Sequence, residues 1–478
     1  MSLKKKAVVG LVWTYTQQFG NQIIGFIVSL VLARVLLPEE FGLVGMVAVV
    51  IAIANALVEG GLTKSLIRCT NCDDRDFSTV FFFNLGASLL IYLGIFFIAP
   101  LVADFYDREI LTPIIRIYSL TVITGSLSAV QLARLTRNMN FKKQAFIAIP
   151  ASVAGGAVGI WMAYHQYGVW SLVWSSIITS LLSTILFWFS SSWRPTLTFD
   201  RSRFKKHFNY GYKLTLSDLL NRLFNNLYLI VIGKYFSAAQ VGFYTRAETM
   251  KQLPVNNITN ALNKVTFPLF VSVQDDLERL RSIYKRLMLM VVFIVTPVLV
   301  LLGVLAEPTF IFLFTEKWLP AVPYFQILCV TGILYPLHSY NLTILNVKGR
   351  SDLFLKLEVI KKILIILAVL ITLPFGIIAL LYGQVIVSII AFFINAHFTN
   401  EFITYSGWRQ LKDIIPIFLI SIVSGAAVIS VDFYLESNFS NFSRLLTGAC
   451  LGSIVYLFLA YLFNFSSLSQ VFELIRRK

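Results

Sequence analysis

The sequence predicts an all-α polytopic membrane protein of about fourteen transmembrane helices. They are arranged as two pseudo-symmetric six-helix lobes plus two C-terminal helices. Three observations predict this. Of 478 residues, 57% are apolar and only 13% charged, with 41 Phe and 20 Tyr. Soluble chains carry about 25% charged residues, so these charges are too few for a water-compatible surface. Apolar runs long enough to cross a hydrocarbon core of about 30 Å recur along the whole chain. A segment near residue 40 also returns in pattern 200 residues later.

The runs fall at roughly 9–36, 41–63, 79–100, 112–134, 146–164, 168–190, 209–235, 241–266, 286–306, 320–345, 357–374, 377–398, 413–432 and 443–463. The first follows Lys4-Lys5-Lys6 but extends from about Ala7 to Leu37. That is too long for the apolar region of a signal peptide, and no clear small-residue cleavage site follows, so it reads as a transmembrane helix. The eighth run is the least hydrophobic. Connections between runs are mostly short, so no extramembrane domain fits.

Loop charges orient the bundle. Cations cluster in alternate connections: Lys4 to Lys6; Lys64, Arg68 and Arg75; Arg134, Arg137, Lys142 and Lys143; Arg194 to Lys206; Arg279 to Arg286; Lys348, Arg350 and Lys356; Arg409 and Lys412; and Arg476 to Lys478. The intervening connections, such as Pro38-Glu39-Glu40 and Asp104 to Glu109, hold few. The positive-inside rule then places both termini in the cytoplasm, which requires an even number of spans. A net charge of +16 suggests a nucleic-acid partner in a soluble protein. Its distribution in short loops between apolar runs points instead to orientation and anionic headgroups.

The repeat sets the domains. Ala33-Arg34-Val35-Leu36-Leu37-Pro38-Glu39-Glu40-Phe41-Gly42-Leu43-Val44 aligns with Gly233-Lys234-Tyr235-Phe236-Ser237-Ala238-Ala239-Gln240-Val241-Gly242-Phe243-Tyr244. Asn21 meets Asn221 in the preceding helices. Six spans separate the copies, so both halves enter the membrane in the same sense, as parallel repeats do in many transporters. The predicted division is an N-terminal lobe over 1–200, a second over 201–400, and two additional helices with a basic tail over 401–478.

Charges inside a span cost on the order of 2.5–3.5 kcal/mol at its centre, so they face a bundle interior or cavity. The seventh run holds Lys213, Asp218, Asn221, Arg222, Asn225 and Asn226, with Asp218, Arg222 and Asn225 on one face. The eighth holds Arg246, Glu248, Lys251, Gln252, Asn256, Asn257, Asn260, Asn263 and Lys264, with Pro254 mid-run favouring a kink. The first run adds Gln17, Gln18, Asn21 and Gln22; the second adds Asn55 and Glu59. Arg222, Arg246 and Lys251 suit a phosphate, and Gln18, Asn21, Asn221, Asn225, Asn256 and Asn260 suit sugar hydroxyls. These nine form the predicted substrate site. The structural alternative is that Arg222 neutralises Asp218, that Arg246 and Glu248 pair at a helix end, and that the amides bond between helices.

No catalytic, cofactor or metal site is predicted. His165, His207, His338 and His397 lack metal spacing, and there is no G-x-S-x-G or phosphate-binding glycine loop. Cys69-x-x-Cys72 has no second ligand pair in sequence, and no disulfide framework is implied. Cys329 and Cys450 lie in apolar spans. Asp73-Asp74-x-Asp76 reads as a solvated loop before a helix N-cap at Ser78. Gly155-x-x-x-Gly159 and Gly448-x-x-x-Gly452 read as helix-packing faces.

Several strings together resemble the Wzx-type polysaccharide flippase family, near the colanic-acid exporter branch of lipopolysaccharide biosynthesis proteins. They are Ala33 to Leu43, Ser78-Thr79-Val80-Phe81, Trp193-Arg194-Pro195, Ile232 to Phe236, Val241 to Tyr244, Phe267-Pro268-Leu269-Phe270 and Trp318 to Pro323. The resemblance covers nearly the whole chain. It implies membership of the multidrug/oligosaccharidyl-lipid/polysaccharide exporter superfamily, with two six-helix lobes around a central cavity. It implies a non-enzymatic exporter in the bacterial inner membrane, acting in polysaccharide biosynthesis. The cargo is a polyprenyl-pyrophosphate-linked oligosaccharide that moves from the cytoplasmic to the periplasmic leaflet. Membrane lipids, a polysaccharide polymerase and glycosyltransferases are the expected partners. The second run carries Glu59 and no cation, which departs from a phosphate-holding N-terminal lobe.

Three other functions compete, of which a non-transporting assembly scaffold is disfavoured by the polar helices. A drug/cation antiporter of the same superfamily usually has twelve spans and an acidic cavity. A membrane glycan polymerase or ligase wants a large periplasmic loop bearing catalytic groups, and the outward connections here are short.

Overall fold

A computed structural model of the protein describes residues 3–59, 61–69 and 71–469, with the side chains of 3–9, 11, 59 and 260–265 outside the description. Every regular element among the described residues is helical. In order they are α1 (Leu3–Val35), α2 (Pro38–Glu59), α3 (Leu62–Arg68), α4 (Asp74–Phe105), α5 (Leu111–Tyr118), α6 (Leu120–Arg137), α7 (Phe141–Tyr164), α8 (Val169–Ser190) and α9 (Arg201–Asn225). Then follow α10 (Leu227–Tyr235), α11 (Ala238–Ser272), α12 (Leu277–Val304), α13 (Ala306–Phe314), α14 (Val322–Val347), α15 (Ser351–Thr372), α16 (Ile377–Ile403), α17 (Gly407–Leu435) and α18 (Asn441–Leu462).

Local chemistry sets the helix starts. Asp200, Asp276, Ser406 and Ser440 each accept backbone N–H groups that the first turns of α9, α12, α17 and α18 leave unpaired. Asp73 and Asp76 form a reciprocal capping box at the start of α4. The cap thus lies five residues before the one expected at Ser78, whose hydroxyl instead bonds the Asp74 carbonyl inside the helix. The repeated turn uses one device twice. The Leu37 amide donates to Glu40 Oε2 at 2.7 Å, and the Ser237 amide donates to Gln240 Oε1 at 3.0 Å.

Eleven helical segments among the described residues are long and apolar enough to cross a membrane: α1, α2, α4, α5 with α6, α7, α8, α12, α14, α16, α17 and α18. The protein is therefore a multi-pass membrane protein. The count of fourteen rests on three more, α9 with α10, α11 and α15, whose charged and amide side chains keep them outside that group. Large apolar side chains such as Leu90, Phe97 and Leu101 on α4 are exposed on the protein surface, as a hydrocarbon solvent permits.

The chain divides into two compact units, 1–242 and 243–478. In the first, α1 and α8 pack on either side of α7, and α4 packs on α5 and α6. A Cβ on Gly155 would lie 1.9 Å from Thr179 Oγ1, and one on Gly159 2.7 Å from Ser175 Cβ, so this small-residue pattern is the α7–α8 seam. Leu62, Leu66, Phe77, Phe81, Val130 and Trp193 close a core beneath α3, α4 and α6.

In the second unit, α12 packs on α14 and α17, and α18 packs on α17 and α13. Gly448 and Gly452 bring α18 onto Leu305 and Leu301, again as packing positions. Arg444 and Asp432 pair through two bonds of 2.9 and 2.8 Å and close the α17–α18 hairpin. A buried polar knot crosses the helices: the Tyr284 hydroxyl donates to Asn341 Oδ1 at 2.9 Å, and Gln410 exchanges hydrogen bonds with the same amide.

Candidate functional site

The polar positions gather on α9 and α11, the two elements poorest in continuous apolar sequence. In the first unit, α9 ends at Asn225, and Asn226 stops it by donating its side-chain amide to the Arg222 carbonyl at 2.7 Å. The seventh run is thus two helices with a break beside its charged group. Arg222 Nε stands 3.4 Å from Asp218 Oδ2, one turn earlier. The i, i+4 neutralisation seen as an alternative from sequence is therefore present. Asn221 and Asn225 are exposed, as is Gln18 on α1. Asn21 Oδ1 accepts from Ser152 Oγ at 3.3 Å, joining α1 to α7.

In the second unit, α11 continues through Pro254 as one helix and carries a connected polar chain. Lys251 Nζ donates to both oxygens of Glu248 at 2.7 Å and lies 3.5 Å from Thr331 Oγ1 of α14. Gln252 Nε2 donates to Glu248 Oε1 at 2.7 Å, and Asn256 donates to Gln252 Oε1 at 2.6 Å. The spacing 248, 252, 256 places these three side chains in one row along the helix. Lys251 is only 7% exposed, its stem against Gly332.

Glu248 therefore partners Lys251 rather than Arg246, the pairing the sequence suggested. Arg246 turns to another side of α11, where its guanidinium lies 4.8 Å from the centre of the Phe314 ring and 5.0 Å from that of Trp318. Of the nine predicted positions, Lys251 and Asn256 are joined in one network with Glu248, Gln252 and Thr331. Arg222, Arg246 and Asn21 each have separate partners. The Asn260 side chain lies outside the described residues.

A second arrangement escaped the sequence reading. Asp76, at the start of α4, and His207, on α9, are almost fully buried, with His207 Nε2 3.1 Å from Asp76 Oδ1. His207 Nδ1 is 2.8 Å from Ser65 Oγ on α3. Arg203 bonds the other oxygen of Asp76 and also reaches Asp73 and Asp200. Cys72 Sγ stands 3.9 Å from His207 Nε2, and Cys69 and Cys72 are joined as a disulfide. Asp73 and Asp74 are exposed, as a solvated loop would have them, while Asp76 turns inward to a buried junction of α3, α4 and α9. Burial pushes the His207 imidazole below its usual range, against the opposing pull of Asp76.

A family model described as "Polysaccharide biosynthesis protein" matches residues 31–323. The lipopolysaccharide biosynthesis protein WzxC of Escherichia coli (strain K12) is 27% identical over 373 residues, covering 78% of this chain and 76% of that one. The teichuronic acid biosynthesis protein TuaB of Bacillus subtilis (strain 168) is 26% identical over 463 residues, covering 96% of each. Among solved structures, the lipid II flippase MurJ in an inward closed conformation matches with a TM-score of 0.76 at 15% identity, covering 95% of this chain and 98% of that one. An inward-facing multidrug resistance transporter of the MATE family matches with a TM-score of 0.62 at 15% identity, covering 84% and 99%.

Proposed function

The chain belongs to the polysaccharide biosynthesis protein family, and on that premise we propose that it is a flippase for a polyprenyl-pyrophosphate-linked oligosaccharide of the exopolysaccharide or O-antigen repeat type. It carries the headgroup from the cytoplasmic to the periplasmic leaflet of the bacterial inner membrane by alternating access, and the lipid tail stays in the bilayer. Both termini are cytoplasmic. The lobes 1–200 and 201–400 rock against one another, and 401–478 supplies the extra helix pair. The three charged helices α9–α10, α11 and α15 complete fourteen crossings. The protein moves its cargo without changing bonds in it, between glycosyltransferases that build it and a polymerase that uses it.

The observation that carries this reading is the polar chain on α11. Lys251 already holds an anion, the Glu248 carboxylate, through two charge-assisted bonds, with its own side chain almost fully buried. A pyrophosphate presents the same kind of oxygen pair with more charge, so it can take the place of Glu248. Arg246 and Arg222 supply further cations. The amides of Gln18, Asn21, Asn221, Asn225, Asn256 and Asn260 meet the sugar hydroxyls. Moving an anion out of a negative interior is favoured by roughly 2.3 kcal/mol per charge per 100 mV, which gives the transport its direction.

The test is polysaccharide export in cells whose own flippase is deleted. The wild-type chain restores export, and Arg222→Ala and Arg246→Ala at normal membrane abundance lower it. Full export by both variants would show that these cations do not hold the pyrophosphate. Restored drug resistance without restored export would favour the antiporter reading.

A further inference from the structure

The Cys69-x-x-Cys72 pair closes on a place where two other metal-ligating side chains are already assembled. Cys72 Sγ, a carboxylate oxygen of Asp76 and a ring nitrogen of His207 all lie within 4.8 Å of one another. Tetrahedral Zn²⁺ binds sulfur at about 2.3 Å and nitrogen or oxygen at about 2.0–2.2 Å, which sets its ligand atoms roughly 3.3–3.8 Å apart. The His207–Asp76 and His207–Cys72 separations of 3.1 and 3.9 Å bracket that range. We propose that, once the disulfide is reduced, Cys69, Cys72, Asp76 and His207 bind one Zn²⁺ ion as a four-ligand structural site.

The surroundings are those of a metal site. Asp76 is 1% exposed and His207 0%, so water does not compete there. Nδ1 of His207 faces Ser65 Oγ at 2.8 Å, the second hydrogen bond that orients a ligating imidazole and leaves Nε2 for the ion. Arg203 holds the outer oxygen of Asp76 and leaves Oδ1 directed at His207. Lys206 Nζ lies 3.6 Å from Cys69 Sγ, where a cation favours the thiolate. Two thiolates and one carboxylate around a dication carry a net charge of −1, and Arg203 and Lys206 offset it.

The chemistry balances in two steps. A cytosolic dithiol breaks the Cys69–Cys72 bond, giving up two electrons and two protons and becoming a disulfide itself. The two thiols then bind Zn²⁺ and release their protons to solvent. The loop rule places this junction on the cytoplasmic side, where thiols are kept reduced. The Cα atoms of the two cysteines are 5.7 Å apart, so side-chain rotation alone separates the sulfurs. The ligands come from both ends of the α3–α4 connection and from α9, so the ion clamps α3, α4 and α9 together. Oxidation to the disulfide removes two ligands and frees the ion.

The test uses the full chain in nanodiscs, reduced with a phosphine and titrated with Zn²⁺ or Co²⁺. The expected result is one tightly held ion per chain with the visible absorption of tetrahedral cobalt thiolate. That signal is absent from Cys69→Ser/Cys72→Ser, and Zn²⁺ binds at least tenfold more weakly to His207→Gln. Wild-type protein with its disulfide intact serves as the folded control and binds no ion. Binding equal in reduced wild type and in Cys69→Ser/Cys72→Ser, or absent from reduced protein that elutes as a single folded species, overturns the proposal. The readout does not involve transport, so it stands or falls apart from the flippase reading.

Discussion

Gly42 and Gly242 pack against each other reciprocally. A Cβ on Gly42 would lie 1.7 Å from the Ala238 carbonyl oxygen, and one on Gly242 would lie 2.0 Å from the Pro38 carbonyl oxygen. The four residues are two pairs related by the 200-residue offset, so the repeated turn meets its own copy about a local two-fold axis. No side chain fits, because the obstacle on each side is backbone.

Gly42→Ala and Gly242→Ala therefore each force two helix starts apart. The cost expected for such overpacking is about 1–3 kcal/mol per site. Thermal unfolding in detergent should show both variants melting well below wild type. Gly25→Ala and Gly86→Ala, whose Cβ positions meet nothing within 4 Å, should not.

Lys251 and Glu248 should behave as a unit. Removing Lys251 alone leaves Glu248 in a largely buried site without its counter-charge, a loss of about 3 kcal/mol for a pair of this kind. Removing both leaves no such charge. The double variant Glu248→Gln/Lys251→Met should consequently melt above Lys251→Met, and the difference between the two measures the coupling.

Acid should weaken the ion pairs at the starts of α9 and α15. The hydrogen bond from Arg350 holds the Asp352 carboxyl down to about 2, and the Arg203 backbone amide with its side chain lowers Asp200. Groups with depressed folded values stabilise the fold above their unfolded values, near 3.9 for Asp. That contribution is lost as pH falls through the folded value. Melting temperature should drop between pH 4 and pH 2, and the part due to this pair should be missing from Asp352→Asn.

Arg444→Met should loosen the α17–α18 hairpin, because Asp432 loses both of its bonds to the guanidinium. The expected sign is faster proteolysis in the 436–440 connection, with the first unit unaffected. Equal cleavage in wild type and variant would contradict it.

Length, hydropathy and small-residue spacing made the helices, the Gly155 and Gly448 seams and the repeated turn at 38–40 and 238–240 legible, because each is a local property of the chain. The junction at Asp76 was not, since His207 reaches Asp76 and Ser65 from 131 and 142 residues away, and nothing local marks that meeting. The capping chemistry of Asp73 hid behind the same acidic string, which looked solvated. On α11, composition disclosed a polar face. The choice of Lys251 over Arg246 as partner of Glu248 follows from helix spacing, since residues three apart share a face and residues two apart do not, whereas the contacts of Lys251 with Thr331 and Gly332 of α14 are not written in the local sequence.

The central claim is tested most directly by reconstituting the chain in liposomes with a polyprenyl-pyrophosphate bearing a fluorescent oligosaccharide. A membrane-impermeant reductant then bleaches the outer leaflet. Wild-type protein should render nearly all of the label bleachable, and Lys251→Ala should slow this at least tenfold while protein-free liposomes hold about half in reserve. A bleaching course identical with and without the wild-type chain would contradict the account.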